Sequence, residues 1–301
     1  MTAVPRSNQE QPRKVLVVGS DELVASTVSR VLPAWTMLRV KDNLAALSLL
    51  QNEHCELVVT GEKSSGQEDV ELLVKIRRVW PHTHLIILTD ESTPEDVIAA
   101  IRGRAFSYFS KPYTQEAFAQ MLRLATETAV WDEGIELVSA TPAWIVLAAR
   151  CDLATADRLI QFVHEMTDLP ELEQEKVGLA FREMLLNAIE HGGRFDPSKR
   201  VEISYVRVRH MVMCRIKDPG EGFSWEKNLH AATNNPADDP AQHLKHREAA
   251  GMRPGGFGIL IAEKLVDELV YGEKGNDVLL VKYLDMVPTT GVNGLDEALP
   301  G

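Results

Sequence analysis

Between residues 14 and 126, five short β-rich runs, KVLVV, TMLRV, ELVVT, HLIILT and SYF, alternate with helix-period segments such as VASTVSRVL and DVELLVKIRRV. A connection of helix length returns the chain parallel to the strand it left, and the helices then cover both faces of the sheet. The expected fold class for this half is α/β, a doubly wound parallel sheet. The last helical pattern, TQEAFAQMLRLATETA, runs into WDEG, where Gly134 offers a break. The linker is therefore placed at 127–135.

From 136 to 285 the grammar changes. Strand-like ELVSA and WIVLAA precede two helix-period stretches, ATADRLIQFVHEM and EQEKVGLAFREMLLNAIEH, and EISYVRV and HMVMCRIKD then read as an antiparallel pair. A polar stretch at 224–254 is too long for an ordinary connection and reads as a functional lid or a mobile loop. After it, GGFGILIAEKLVDEL is expected to form a glycine-opened helix and VLLVKYL a final strand, with 286–301 as a tail. This half is expected to be an α+β sandwich.

With 301 residues, 45% hydrophobic and 25% charged, the chain can fill two cores. Its net charge of -12 lacks the basic surface that drives most nucleic-acid affinity, so DNA is not expected as a partner. No apolar run approaches the ~18 residues of a membrane span, and a cytoplasmic location without membrane contact is expected. Cys55, Cys151 and Cys214 are odd in number and widely spaced, the pattern of core thiols rather than of disulfides or a zinc site.

In the first half, LTD closes the fourth strand and SYFSKPYT the fifth. With the order of elements, these strings resemble the response-regulator receiver family over residues 14–126, which implies a flavodoxin-like sheet with its site at the carboxyl ends of the strands. The resemblance makes Thr89, Tyr108 and Lys111 the counterparts of the reporting threonine, the switch aromatic and the lysine of the phosphorylation site. The acidic machinery does not match. Gly19-Ser20 stand where an acidic pair is expected, with Asp21 and Glu22 displaced along the chain, and Gly61, between Thr60 and Glu62, stands at the phosphoacceptor position. No carboxylate is there to form an aspartyl phosphate, so a pseudo-receiver is expected, its shell kept as a docking or dimerisation surface. A register shifted by one would instead bring Glu62 or Asp21 into the site.

In the second half, REMLLNAIEHG puts Glu183, Asn187 and His191 at i, i+4 and i+8, one helix face beside an apolar stripe of Val177, Phe181, Met184 and Ala188. An amide oxygen is a hard neutral ligand suited to Mg²⁺ on a nucleotide, and a carboxylate one turn earlier can take a proton from a hydroxyl. DPGEGF follows a strand, so Asp218 can accept from an adenine amino group while Gly220 and Gly222 let the backbone approach the base. RPGGFGI opens a helix at Gly255, Gly256 and Gly258, where free N–H groups can face phosphates. Each string alone is weak. In this order, with a lid-sized gap between the last two, they indicate a nucleotide site.

The stretch 136–285 resembles the GHKL ATPase superfamily and, within it, the anti-sigma serine kinases of bacterial partner-switching systems. That resemblance implies ATP and nucleotide-bound Mg²⁺ as cofactors, Asn187 as the metal ligand, Glu183 as the catalytic base for a substrate serine, and Asp218 as the adenine acceptor. It implies backbone contacts at Gly220, Gly222, Gly256 and Gly258, with Arg253 near the terminal phosphate and Lys245 or Arg247 as other candidates. The implied partner is a STAS-type anti-anti-sigma protein or a sigma factor, and homodimerisation through either domain fits the family. The competing expectation is a non-catalytic module that sequesters a sigma factor or other regulator. His164-Glu165 has the look of a histidine-kinase phosphoacceptor box, but no dimerisation hairpin precedes it, and a structural or surface histidine is the preferred reading.

Overall fold

The computed structural model describes residues 12–61, 65–128, 134–141, 143–167, 169–222 and 258–284. In the N-terminal half β1 (Lys14–Val18), β2 (Thr36–Val40), β3 (Leu57–Val59), β4 (His84–Thr89) and β5 (Ser107–Ser110) form a parallel sheet in the order β2-β1-β3-β4-β5. Alternation along the inner strands feeds two apolar layers. Val15, Val17, Leu57, Val59, Ile86 and Leu88 join α1 (Glu22–Val31) and α5 (Gln115–Glu127). Leu16, Val58, Leu85 and Ile87 join α2 (Asn43–Leu50), α3 (Gly66–Val79) and α4 (Pro94–Arg102) on the other face. The sheet is the flavodoxin-like one expected.

Local signals start these helices where the sequence places them. Asp21 caps α1 by accepting from the Leu23 and Val24 amides, and capping boxes built on Ser65 with Glu68 and Thr93 with Asp96 open α3 and α4. Among the described residues, no helix is long and apolar enough to cross a membrane.

The chain passes from α5, ending at Glu127, to β6 (Ile135–Thr141) and β7 (Trp144–Arg150). Two helices follow, α6 (Leu153–Met166) and α7 (Glu171–Asn187), then β8 (Arg200–Val208) and β9 (Met211–Lys217), and after the described gap α8 (Gly258–Leu265), β10 (Glu268–Tyr271) and β11 (Asp277–Tyr283). These strands make one antiparallel sheet in the order β10-β11-β9-β8-β7-β6. Val177, Phe181, Met184 and Ala188 of the expected stripe are all buried between α7 and this sheet.

The last helix departs from the sequence reading. The final helix was expected to run through DEL, but it stops at Leu265, and Glu268–Tyr271 is a strand. Asp267 makes the difference: its amide donates to Val281 O at 2.9 Å and its carboxylate accepts from the Tyr283 amide at 2.6 Å, so the chain is captured by β11 before a further turn can form. The three cysteines are buried, and burial pushes their thiols up to about 11, 11 and 12 for Cys55, Cys151 and Cys214.

The two halves are joined by more than a linker. The apolar layer under α2–α4 continues without a break into the second core, linking Ile98 and Ile101 of α4 to Leu159 and Phe162 of α6 and Ile145 of β7. Helix α6 also lies against the edge of the first sheet. Arg158, Gln161 and Glu165, at i, i+3 and i+7, reach the backbone of Phe106, Tyr108 and Ser110 along that edge. Seven residues of helix span ~10 Å and four of strand ~13 Å, so the two repeats nearly match.

Candidate functional site

At the carboxyl end of the parallel sheet, the phosphoacceptor position is closed by backbone. A side chain at Gly61 would put its Cβ 2.3 Å from Val18 O and 3.2 Å from Gly19 Cα. Real Cβ atoms do not come that close to backbone, so β1 and β3 approach each other here only because both positions are glycine. Asp21 is engaged in capping α1, and Glu22 pairs with Arg39 at 2.8 Å. The shifted-register alternative fails for Asp21; Glu62 lies outside the described residues.

The three residues matched to the reporting machinery are held locally. Thr89 Oγ1 donates to Glu91 O at 2.7 Å, and Lys111 Nζ pairs with Asp90 at 3.0 Å. Tyr108 is fully buried, its hydroxyl tucked against Gly66, where a Cβ would sit 2.4 Å away, and burial pushes its phenol well above the usual range. The aromatic therefore occupies the inward position.

In the second half, a cavity of about 860 Å³ opens between α7, the end of β9, the N-terminus of α8 and the β10–β11 turn. Its walls bring together Asn187, His191, Asp218, Gly220, Gly222 and Gly258 from the three separated strings. Met184, Ala188, Ile216, Ile259, Tyr271 and Val278 supply the apolar lining. That is the size and composition of a site for a compact organic ligand with a few oriented polar groups.

Each wall has a local cause. Helix α7 does not continue as a regular helix: Ala188–Gly193 form a π turn, and Arg194 and Phe195 follow with positive φ of 58° and 53°. The wider turn and the left-handed exit fold Gly192 beneath Asp218, where a Cβ would lie 2.1 Å from the carboxylate. The i+8 spacing of His191 on a regular helix is therefore not what carries it; the π turn does, and His191 still faces the cavity. Burial raises the Asp218 carboxyl above the usual carboxylate range, against the pull of the Gly220 amide donating to it at 2.7 Å.

Glu183, one turn before Asn187, is not among the residues that line the cavity. A Cβ on Gly258 would lie 2.8 Å from Glu183 Oε2 and 3.4 Å from Asn187 Nδ2, so the first residue of α8 packs directly on the Glu–Asn pair. Glu183 Oε1 accepts from Arg182 Nη1 at 3.1 Å. Gly255, Gly256, Arg253, Lys245, Arg247 and the polar stretch read as a lid lie outside the described residues.

Some cavity residues were not singled out from the sequence. Asn276 donates through Nδ2 to Gly220 O at 3.1 Å, and its carbonyl accepts from the Asp218 amide at 2.9 Å, which ties the Asp218 loop to the β10–β11 turn. Gly222, at φ 86°, approaches the same turn so closely that a Cβ would collide with Lys274 O. Tyr271 and Lys199 also line the space. The string GEKGND reads as an ordinary polar hairpin tip, and only the pairing of β11 with β9 reveals what it touches.

The donor set fits a purine nucleotide. A half-buried carboxylate enclosed by glycines can accept from an exocyclic amine, an apolar wall can cover the ring, and an amide and a carboxylate stand on one helix where phosphates and their counterion would lie. An ATPase-type sandwich behind a receiver-type sheet is the class that this architecture defines. Residues 147–282 match the histidine kinase-like ATPase domain family and residues 15–123 the response regulator receiver domain family. The chain thus joins a receiver domain to a histidine kinase-like ATPase domain.

Among curated proteins it is 29% identical over 133 residues to the probable transcriptional regulatory protein TcrX of Mycobacterium tuberculosis, covering 42% of this chain and 57% of that one. It is 25% identical over 111 residues to the serine-protein kinase RsbW of Oceanobacillus iheyensis, covering 36% of this chain and 65% of that one. The chain thus spans less than two thirds of the length of either relative. A solved signal receiver domain of an HD domain-containing protein from Pseudomonas fluorescens aligns with 39% of this chain and 96% of its own at 27% identity, with a TM-score of 0.34.

Proposed function

We propose that this chain is a cytoplasmic ATP- and Mg²⁺-dependent protein-serine kinase that phosphorylates a STAS-type anti-anti-sigma partner, with the pseudo-receiver setting its activity. The observation that carries the reading is the packing of Gly258 on Glu183 and Asn187, beside a cavity that Asn187, Gly258 and Asp218 line together. In this reading Glu183 would be the base, Asn187 the metal-ligand amide and Asp218 the adenine acceptor. The similarity to a serine-protein kinase supports the choice of serine over histidine as acceptor.

In this reading Asp218 fixes the adenine end and Asn276 holds the Asp218 loop in register. Asn187 would hold Mg²⁺, which when bound neutralises phosphate charge. Glu183 takes the proton from the substrate hydroxyl, so catalysis rests on positioning and charge neutralisation with one base. A single specific observation favours the non-catalytic alternative, in which a nucleotide-bound form sequesters a sigma factor: Glu183 is already engaged by Arg182.

Incubation of the full chain with γ-labelled ATP, Mg²⁺ and STAS-domain proteins of the source genome separates the two. Acid-stable label on a partner serine, lost in Glu183→Ala and in Asn187→Ala, is expected. Nucleotide binding without transfer to any partner selects the sequestering module, and acid-labile label overturns the serine assignment.

A further inference from the structure

The exposed edge of a parallel sheet is normally a liability, with unpaired backbone groups that must be covered or blunted. Here the β5 edge is covered by side chains of the other domain. Arg158 is 2% exposed, donates from Nε to Phe106 O at 2.8 Å and stacks its guanidinium 4.3 Å from the Phe106 ring centroid. Gln161 Nε2 donates to Tyr108 O at 3.0 Å and also to Glu165 Oε1 at 2.8 Å. Glu165 Oε2 accepts from both the amide and the hydroxyl of Ser110, at 3.0 and 2.5 Å. Gln120 of α5 donates to Asp157, one turn before Gln161 on the same helix, at 2.9 Å.

These contacts surround the residues that a receiver uses to report its state. Tyr108, Ser110 and Lys111 are consecutive or next-but-one, and α6 holds the backbone of the first two. On its opposite side α6 packs on α7, which carries Glu183 and Asn187, and α7 packs on α8 with Gly258. The apolar core is continuous along the same route.

We propose that the Arg158–Gln161–Glu165 face of α6 is a coupling latch that makes the two domains one cooperative unit, so that nucleotide in the α7–α8 cleft stabilises the β5 edge and loosening of that edge weakens the cleft. The nucleotide arm of this inference rests on the nucleotide-binding reading above. The latch also occupies the β5 edge in cis, which closes that edge to a second copy of the receiver domain. An input to this pseudo-receiver would then act by shifting α6, with no phosphoryl group on the receiver itself.

Hydrogen exchange of the full chain, with and without Mg²⁺ and a non-hydrolysable ATP analogue, tests the latch, because the Ser110 amide is itself one of its donors. In the wild type, nucleotide should slow exchange at 212–222 and also at 106–111, by on the order of tenfold or more. In the Gln161→Ala/Glu165→Ala variant the protection at 212–222 should persist at saturating nucleotide but require more nucleotide to reach, and that at 106–111 should vanish, while Glu165→Gln, which keeps an acceptor, should behave as the wild type. Protection confined to 212–222 in the wild type overturns the coupling and leaves the nucleotide reading standing.

Protection of neither segment overturns the nucleotide reading, and thermal unfolding then decides the latch. One transition in the wild type that splits into two in the double variant supports a cooperative unit. Two transitions in the wild type overturn it.

Discussion

At the scale of single residues, backbone fills the position where the receiver family's acceptor acid is expected. Putting an aspartate at position 61 therefore does not restore that acid's chemistry: the Cβ would meet Val18 O before the carboxylate found any partner. Gly61→Asp is expected to destabilise the fold by about 1–3 kcal/mol, the usual cost of overpacking, and to gain no acid-labile phosphoryl adduct from acetyl phosphate. Thermal melting with intact-mass analysis reads both, and an adduct on the variant would show the pocket to be open. Asn276 makes the opposite kind of claim. Its side chain touches the Asp218 loop, so Asn276→Ala should weaken ATP binding by roughly five- to tenfold, as for one lost hydrogen bond of about 1 kcal/mol, with the unfolding midpoint little changed.

What was readable in the sequence follows the same division. Asp218, Asn187 and Gly258 could be picked out because a strand end, a helix face and a glycine-opened helix each leave a local pattern, and the structure brings those patterns to one cavity. Asn276, Tyr271 and Lys199 leave none, since their roles come from which strands are neighbours. Gly61 was readable as the loss of an acid but not as a steric seal, because the seal depends on Val18 and Gly19 more than 40 positions earlier.

At the scale of elements, strands and helices with strong periodicity were legible, and the exceptions have identifiable causes. Asp267 turns the expected end of a helix into β10 through pairing with β11, and the π turn at Ala188–Gly193 reshapes a segment whose apolar pattern suits a plain helix. Helix α6 was legible from its period, and His164-Glu165 was weighed as a phosphoacceptor box and set aside for a structural or surface histidine. Glu165 in fact faces β5.

That placement carries a pH prediction. Burial pushes the Glu165 carboxyl from an ordinary 4.5 up to about 7, against the Ser110 and Gln161 donors that pull it down. Between those two values the folded chain holds more protons at this site than the unfolded chain does. Stability from this group is therefore full below pH 4.5 and declines as pH rises through about 7, by a few kcal/mol at most. Urea unfolding midpoints of the wild type measured from pH 5 to pH 8 should fall relative to those of Glu165→Gln, whose profile lacks this component; parallel profiles would show that Glu165 does not titrate in that window.

At the scale of the whole molecule, the chain joins a receiver sheet without its acceptor acid to an ATPase-type sandwich with a formed cavity, through a continuous core and one shared helix. Everything proposed for the whole molecule depends on the cavity being a nucleotide site. The most direct test is calorimetric titration of Mg²⁺-ATP into the purified full chain and into Asn187→Ala and Asp218→Asn. The account predicts one site per chain in the wild type, with affinity lost by at least about tenfold in each variant, the scale of one charge-assisted contact. No binding in the wild type, or binding that neither substitution changes, would contradict it.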